Sequence, residues 1–386
     1  MTMTRSPFRT IDEQRLDDYF TRELKCDRYT PSLSEEGEDW SVFRTSLLSC
    51  WDHLGGTTPR GRQDGRAFHM AAGFVDIVSP GAFATASEGT HLIGMHTGLV
   101  GAMLEMSLYL YSQASLFPEV GNAAKERSPP LPPHSPLSFL ITGLVRVADE
   151  RRLRQLGNRI TPRDGTRYLH AQLMTLLLLR FTWYHEFYHC VNGHVGLVND
   201  SGIATALCEV GNDIHGTFKD TEEPPIPELT VQQISHCLEM DADRSALWAS
   251  AKLQLAGDEN IRGLDRLDLR LRMKMVMFSA FLITHFFSES NRRARTPSLF
   301  HPSAEIRLHN LVRTIASHLT DEYAEAPAIF REVLHEFERL EKAVPRIMRT
   351  SDLLRDFESA DFQDGLEGIE RNIDLVRTAT APFSYV

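Results

Sequence analysis

The chain has 386 residues, of which 42% are hydrophobic and 24% are charged, a balance typical of a globular protein rather than a disordered or fibrous one. Its net charge of -11 argues against nucleic acid as the main partner, because binding to a phosphate backbone requires a concentrated basic face. The five cysteines include no Cys-x-x-Cys pair, and no apolar stretch near the N-terminus is typical of a signal peptide, so we expect a cytoplasmic protein.

The first third of the chain is expected to pass from helix to strands and back to helix. Residues 10–53 carry apolar side chains at the spacing of an amphipathic helix. The run 73–78 and the segment 91–97 are typical of β-strands, and the turn residues at 87–89 predict a hairpin. Residues 98–117 again have helical character.

Two strong helices are predicted in the middle of the chain. The first is long and apolar and covers 168–192, and the second begins after an N-cap at Thr230 and stops at Gly257. Two apolar runs, 173–183 and 275–287, contain polar side chains and are shorter than the ~20 residues that a bilayer requires. We therefore expect both runs to be buried helices, and we expect no membrane span.

The pattern His185-Glu186-x-x-His189 lies near the end of the apolar helix. Because the two histidines are one helical turn apart, both imidazoles project from one face and can bind one tetrahedral zinc ion, with Glu186 beside the open position. Zinc lowers the pKa of a bound water to about 7, and the glutamate can accept its proton as the water attacks a carbonyl. His194 would lie about 140° further round a continuous helix, so we do not expect it to be a ligand.

The third protein ligand has two candidates, each a glutamate followed one turn later by an aspartate. One pair is Glu239 and Asp243, and the other is Glu209 and Asp213. In either pair the glutamate would bind zinc, while the aspartate would hydrogen-bond a ligand histidine and fix its tautomer. We favour Glu239 and Asp243, because a glycine and an asparagine between Glu209 and Asp213 weaken the helical pattern there.

Two neighbours of Glu239 receive less specific interpretations. Asp241 falls on another face of the same helix, so we expect it on the surface, solvated or in a salt bridge. His236 precedes Glu239 by about one turn. It could contact a ligand, but the pattern is more typical of an ordinary interior histidine.

Five short segments in chain order form a larger pattern: Pro80-Gly81-Ala82-Phe83-Ala84-Thr85, His96-Thr97-Gly98-Leu99-Val100, the histidine motif, Glu239-Met240-Asp241-Ala242-Asp243-Arg244-Ser245-Ala246, and His301-Pro302-Ser303 followed by Arg307. Together they resemble the gluzincin metallopeptidases of the CAAX prenyl protease and heat-shock membrane protease type, and their soluble relatives, the minigluzincins. A phage-exclusion protease of the Lit type is a second, related comparison. The resemblance covers 73–312.

The resemblance implies an α+β, predominantly helical fold with a zincin (gluzincin) core, in which a small antiparallel sheet has an edge strand beside the active-site cleft. It implies that a protein or peptide substrate pairs in extended form with residues 92–97. It also implies that His301 and Arg307 bind or polarise the scissile carbonyl. Pro302 is equally typical of the first residue of a helix, which would make His301 a cap.

Three regions are expected along the chain: an N-terminal helical extension (1–70), a gluzincin catalytic domain (71–320) and a C-terminal helical extension (321–386). The catalytic domain would contain an insertion near 106–167, which includes a proline-rich stretch. This insertion could act as a lid, an inhibitory plug or a substrate-selecting subdomain. Because the sequence lacks the long membrane helices of the membrane members, a prenylated or membrane-embedded substrate is not implied.

The sequence therefore predicts a cytoplasmic zinc metalloendopeptidase. His185, His189 and Glu239 would bind Zn²⁺, Glu186 would be the general base, and Asp243 would orient a ligand. The alternative is a catalytically silent or latent zinc-bearing regulatory or binding protein on the same fold. A third hypothesis, a helical scaffold with ordinary core histidines, predicts no bound metal. No pattern specifies the substrate or the oligomeric state.

Overall fold

The computed structural model describes residues 11–25, 61–62, 65–75, 77, 80–130, 160–204, 206–208, 224–257, 259, 261, 263–293, 302–344 and 360–385. Several predictions fall outside these ranges. They concern most of the helix predicted for 10–53, the alternative pair Glu209 and Asp213, and His301.

Four strands of the described chain form one sheet in the order β1-β3-β2-β4: β1 (Met70–Val75), β2 (Ala82–Ser87), β3 (Thr90–His96) and β4 (Ala206–Cys208). Strand β2 is antiparallel to both β3 and β4, whereas β1 runs parallel to β3. The turn between β2 and β3 has positive φ at Glu88 (49°) and Gly89 (80°), the conformation of a two-residue hairpin turn. The hairpin predicted around 87–89 is confirmed.

The sheet differs from the expected one in two respects. It is mixed rather than antiparallel, and β3 is an inner strand rather than an edge strand. Since β1 and β2 take the backbone hydrogen bonds on its two sides, a substrate strand cannot pair with residues 92–97 as predicted. Thr97, the last residue of that segment, already begins a helix.

The long helices of the described chain are α1 (Ile11–Tyr19), α2 (Thr97–Tyr111), α3 (Gly165–Val191), α4 (His194–Ser201), α5 (Val231–Leu255), α6 (Leu269–Arg293), α7 (Ala304–Thr314), α8 (Ala326–Ala343) and α9 (Ala360–Thr380). Phe20–Leu24 and Ile315–Leu319 are π-helical extensions, Thr320–Glu322 is one helical turn, and Ala123–Lys125 and Ala381–Phe383 are 3₁₀ turns. The two helices predicted for 168–192 and from Thr230 to Gly257 are confirmed as α3 and α5.

Helix α5 begins where its capping residues predict. The Thr230 hydroxyl accepts a hydrogen bond from the Gln233 backbone at 3.2 Å, and the Gln233 side chain accepts one from the Thr230 backbone at 2.9 Å. This reciprocal arrangement satisfies two backbone donors that a helix start would otherwise leave unpaired. It fixes the register of the helix that carries Glu239 and Asp243.

Helix α3 is at the centre of the core, packed against α2, α5 and α6, and it contacts the sheet, where Trp183 packs edge-on against Phe74 of β1. Helix α1 covers the opposite face of the sheet, where Leu16 and Phe20 pack on Phe83.

The apolar runs 173–183 and 275–287 are buried within α3 and α6, as predicted. Arg180, the charge within the first run, donates to both carboxylate oxygens of Glu259 at 2.8 Å. None of the helices in the described ranges is long and apolar enough to cross a membrane.

Candidate metal centre

His185, His189 and Glu239 lie together in the interior, where α3 packs against α5. The His185 Nε2 and His189 Nε2 atoms are 3.0 Å apart. His185 Nε2 lies 3.4 Å from Glu239 Oε2, and His189 Nε2 lies 3.5 Å from Glu239 Oε1. The structure thus brings together the three ligands predicted from the sequence, and each of these side chains is at most 2% exposed.

The spacing of these atoms fits one small metal ion. Tetrahedral ligands about 2.0–2.1 Å from a metal are about 3.4 Å from one another, close to the three separations observed here. Within the described residues, Glu239 Oε2 has no hydrogen-bond partner although it is buried. A buried acceptor of this kind is usually satisfied by a donor or a cation.

The far sides of the two imidazoles are held by hydrogen bonds. His185 Nδ1 is 3.0 Å from Asp243 Oδ1, and His189 Nδ1 is 2.9 Å from His194 Nδ1. With both Nδ1 atoms protonated, both Nε2 lone pairs point at the Glu239 carboxylate. Three acceptors then converge on one point, an arrangement that a cation stabilises.

Asp243 is in turn held by an arginine from α7. Arg307 donates from Nε to Asp243 Oδ2 and from Nη2 to Asp243 Oδ1, both at 2.7 Å. The same Nη2 lies 3.9 Å from Glu239 Oε2. Arg307 is only 1% exposed, and a buried guanidinium requires negative charge nearby. The two hydrogen bonds to Asp243 and the proximity of Glu239 provide it.

Glu186 is next to His185 on α3 and is 1% exposed. At about 100° per residue, its side chain leaves the helix about 60° from His189, on the side of the ligand pair. The neighbouring thiol of Cys190 is not among the residues that converge on the site. Burial, and secondarily the charge of Glu186, raise the pKa of Cys190 well above its usual range.

His194 contacts His189 through a hydrogen bond that was not predicted from the sequence. Helix α3 ends at Val191, and Gly193 adopts a left-handed conformation (φ 82°) that turns the chain so that His194 begins α4. The histidine therefore lies beside His189 rather than 140° away on a continuous helix. It remains outside the ligand group, as predicted, but the reason given for that prediction was wrong. The pair Asn192-Gly193 is a helix-stop signal that could have shown this.

Asp241 is 2% exposed, so the prediction that it lies on the surface was wrong. Its Oδ2 is 3.1 Å from His194 Nε2, and Arg377 Nε of α9 donates to its Oδ1 at 2.7 Å. Burial alone would raise the pKa of Asp241, but the hydrogen bond from His194 and the charge of Arg377 lower it to about 2. The salt bridge was anticipated, although its burial under α9 was not. His236 is partly buried, and its assignment as an ordinary interior histidine stays a prediction.

The late His-Pro element is only partly described. His301 lies outside the described residues, and Pro302 precedes α7 rather than opening it. The cap is Ser303, whose hydroxyl accepts a hydrogen bond from the Ile306 backbone at 3.4 Å. Arg307, in the first turn of α7, does reach the centre.

In comparisons with known proteins, no family model, no curated protein and no solved structure matches this chain. The residues of the site form a buried His-His-Glu group, with an acidic neighbour on the ligand helix and a hydrogen-bonded partner on the far side of each imidazole.

Proposed function

We propose that the protein is a zinc-dependent endopeptidase whose metal ligands are His185, His189 and Glu239. One observation carries the proposal: two imidazole Nε2 atoms and a carboxylate converge within 4.8 Å beside Glu186 in the interior. Two histidines and one glutamate are the ligands of a well-known class of catalytic zinc sites, which keep one coordination position open. A purely structural zinc site would use a fourth protein ligand and would gain nothing from Glu186.

A zinc ion held by these three residues would supply Lewis acidity and would lower the pKa of a bound water to about 7. The Glu186 carboxylate would accept a proton from the attacking water and pass it to the leaving amine, acting first as general base and then as general acid. Asp243 keeps the proton of His185 on Nδ1, so Nε2 remains a ligand. Burial of the centre strengthens each of these interactions.

We assign Arg307 a positioning role in place of the predicted contact with the scissile carbonyl. Its Nε and Nη2 donors are both used by Asp243, and it is 1% exposed. Through Asp243 it holds His185, and through its 3.9 Å proximity it stabilises the negative charge of Glu239. The carbonyl-binding role of His301 remains a prediction.

The proposed substrate is a protein or peptide, and the proposed location is the cytoplasm. The location is supported by the free thiols of Cys190 and Cys237, both buried. The substrate class follows from the general-base arrangement and from the sequence resemblance. Pairing of the substrate with residues 92–97 is not part of the proposal, because β3 is an inner strand.

A specific observation favours a second candidate, a latent form of the same enzyme. His185, Glu186 and His189 are each only 1% exposed, whereas a working peptidase must admit a peptide to its metal. If the enzyme is latent, the structure represents its closed state, and activity requires a movement that exposes the metal centre to a peptide. The latent candidate differs from the first in its trigger and not in its chemistry.

The proposal is tested by sequencing new protein N-termini in cells that express wild type or Glu186→Gln. The substitution removes the base and leaves the three ligands intact, so we expect new N-termini with wild type only. The same N-termini from the Glu186→Gln cells would contradict the proposed mechanism. A zinc-loaded wild type that produces none would favour the latent candidate.

A further inference from the structure

A chain of hydrogen bonds leads from His189 to the C-terminal helix. His189 Nδ1 is 2.9 Å from His194 Nδ1, His194 Nε2 is 3.1 Å from Asp241 Oδ2, and Arg377 donates to Asp241 Oδ1 at 2.7 Å. We propose that His194, Asp241 and Arg377 are positioning residues for the metal ligand His189, which makes helix α9 part of the metal centre. This inference rests on the proposed metal site.

The proton positions follow from the partners. Asp241 receives donors at both oxygens, because Asn192 also donates to its Oδ2 at 2.8 Å. Its partner His194 must therefore present a proton on Nε2, and His194 Nδ1 is then an acceptor. Only a proton on His189 Nδ1 satisfies that acceptor, so Nε2 of His189 is left with its lone pair toward Glu239.

The other proposed ligand, His185, is held in a similar way but without an intervening histidine. His185 is held directly by Asp243, which is bound to Arg307, whereas His189 is held through His194 by Asp241, which is bound to Arg377. Both aspartates come from α5, the helix that also supplies Glu239. Each of the two imidazoles is thus linked by hydrogen bonds to a buried aspartate, and each aspartate accepts a hydrogen bond from an arginine.

The chain turn that places His194 is itself closed by the C-terminal segment. A side chain at Gly193 would approach the backbone of Thr380 to 2.5 Å and that of Ser384 to 2.8 Å. Tyr385 donates from its backbone to the Val191 carbonyl at 2.9 Å. Only glycine permits both the left-handed conformation and this close approach. Residues after α9 therefore hold the turn from which His194 reaches back to His189.

Burying the side chains of this network costs free energy unless they satisfy one another. His194 is fully buried and Asp241 is 2% exposed, and a buried carboxylate destabilises a fold unless its partners satisfy it. A structural role alone would require only that these partners satisfy one another. The positioning role requires in addition that the network changes the affinity of the centre for metal.

The experiment is a Zn²⁺ titration against a competing chromophoric chelator. It compares wild type with Asp241→Asn, which turns an amide donor toward an existing donor, and with Arg377→Ala. The control is Arg313→Ala, which also removes an arginine contact to α9, at 3.2 Å from Glu370, but does not touch the network. We expect both network variants to bind Zn²⁺ about 10- to 100-fold more weakly than wild type. The control should stay within about twofold of wild type, as for an exposed ion pair.

Unchanged affinity in both network variants, with wild type binding Zn²⁺, would overturn the positioning role and leave the proposed metal site standing. Absence of Zn²⁺ binding by wild type would instead overturn the proposed function. Arg377 is half-exposed, so its substitution keeps the test open if Asp241→Asn fails to fold.

A second measurement needs no variant. Nitrogen-15 NMR of the imidazoles in zinc-loaded wild type should show His194 protonated on Nε2 and His189 protonated on Nδ1. Protonation of His194 on Nδ1 would overturn the inference, because His189 would then lose its acceptor.

Discussion

Asp243 Oδ1 is 3.0 Å from His185 Nδ1, and the same carboxylate accepts two hydrogen bonds of 2.7 Å from Arg307. One aspartate therefore joins a proposed metal ligand of α3 to a buried cation of α7. Since His185 Nδ1 is engaged there, its other ring nitrogen, Nε2, faces Glu239 Oε2 at 3.4 Å. The ligand geometry of His185 thus depends on a carboxylate that is outside the ligand group itself.

Replacement of Asp243 should weaken metal binding and stability together. We expect Asp243→Ala to lower Zn²⁺ affinity about 10- to 100-fold, because His185 loses the partner that fixes its tautomer. It should also lower the free energy of unfolding by about 3–5 kcal/mol, because the buried guanidinium of Arg307 loses the carboxylate that accepts two of its hydrogen bonds. Chelator competition and chemical denaturation measure the two effects.

A double variant separates these effects. Asp243→Ala with Arg307→Met removes the buried cation as well, so most of the lost stability should return while the metal affinity stays low. Recovery of the affinity along with the stability would contradict the direct role of Asp243 in holding His185.

Arg307→Lys distinguishes positioning from contact with substrate. Lysine keeps the positive charge but cannot donate to both oxygens of Asp243 in the fork geometry of arginine. If Arg307 acts through Asp243 and Glu239, its replacement should weaken Zn²⁺ binding about tenfold, as loss of a ligand-orienting contact does. A variant that binds Zn²⁺ as wild type does and loses only kcat would support the carbonyl-binding role instead.

His91 should make the protein less stable in mild acid. It is 6% exposed, and burial followed by the charge of Arg62 lowers its pKa to about 4, from 6.5 in an unfolded chain. As the pH falls below 6.5 the unfolded chain takes up the proton first, so the contribution to stability is complete above that pH and is lost towards pH 4. This loss amounts to about 3 kcal/mol. Thermal melting between pH 7.5 and 4.5 should show a shallower decline for His91→Gln, and an equally steep decline would refute the assignment.

Two glycines provide a matched test of the sheet. A side chain at Gly94 of β3 would come within 2.2 Å of the Phe83 ring on the paired strand, and that ring is fully buried. Gly94→Ala should destabilise the protein by about 1–3 kcal/mol through overpacking. Gly101 of α2 has open space around it, so Gly101→Ala should raise stability by up to about 1 kcal/mol. If the denaturation midpoints of the two variants shifted in the same direction from that of wild type, this packing would be contradicted.

Local patterns were sufficient to predict the helices that carry the ligands. Apolar residues along α3 and the reciprocal cap at Thr230 act within a few residues of the chain, so the sequence contains them directly. The same holds for the convergence of His185 and His189 on one face. The spacing of Glu239 and Asp243 on a second helix completes that part of the site.

Features that depend on distant partners were not predictable in this way. Strand β3 is an inner strand because β1 pairs along its second side, and the sequence contains no direct signal of which strand pairs with which. Asp241 was predicted to lie on the surface because it falls on a different face of the helix from Glu239. Arg377, which covers it, follows 136 residues later. His194 was misjudged for a local reason, since Gly193 ends the helix that the argument had continued.

The most direct test of the account is the metal content of purified protein. Elemental analysis should find one zinc ion per chain in wild type and in Glu186→Gln, because that substitution leaves all three ligands in place. His189→Ala and Glu239→Ala should each lose it. Wild-type protein that holds no stoichiometric metal after equilibration with Zn²⁺ would contradict the account, as would zinc retained equally by both ligand variants.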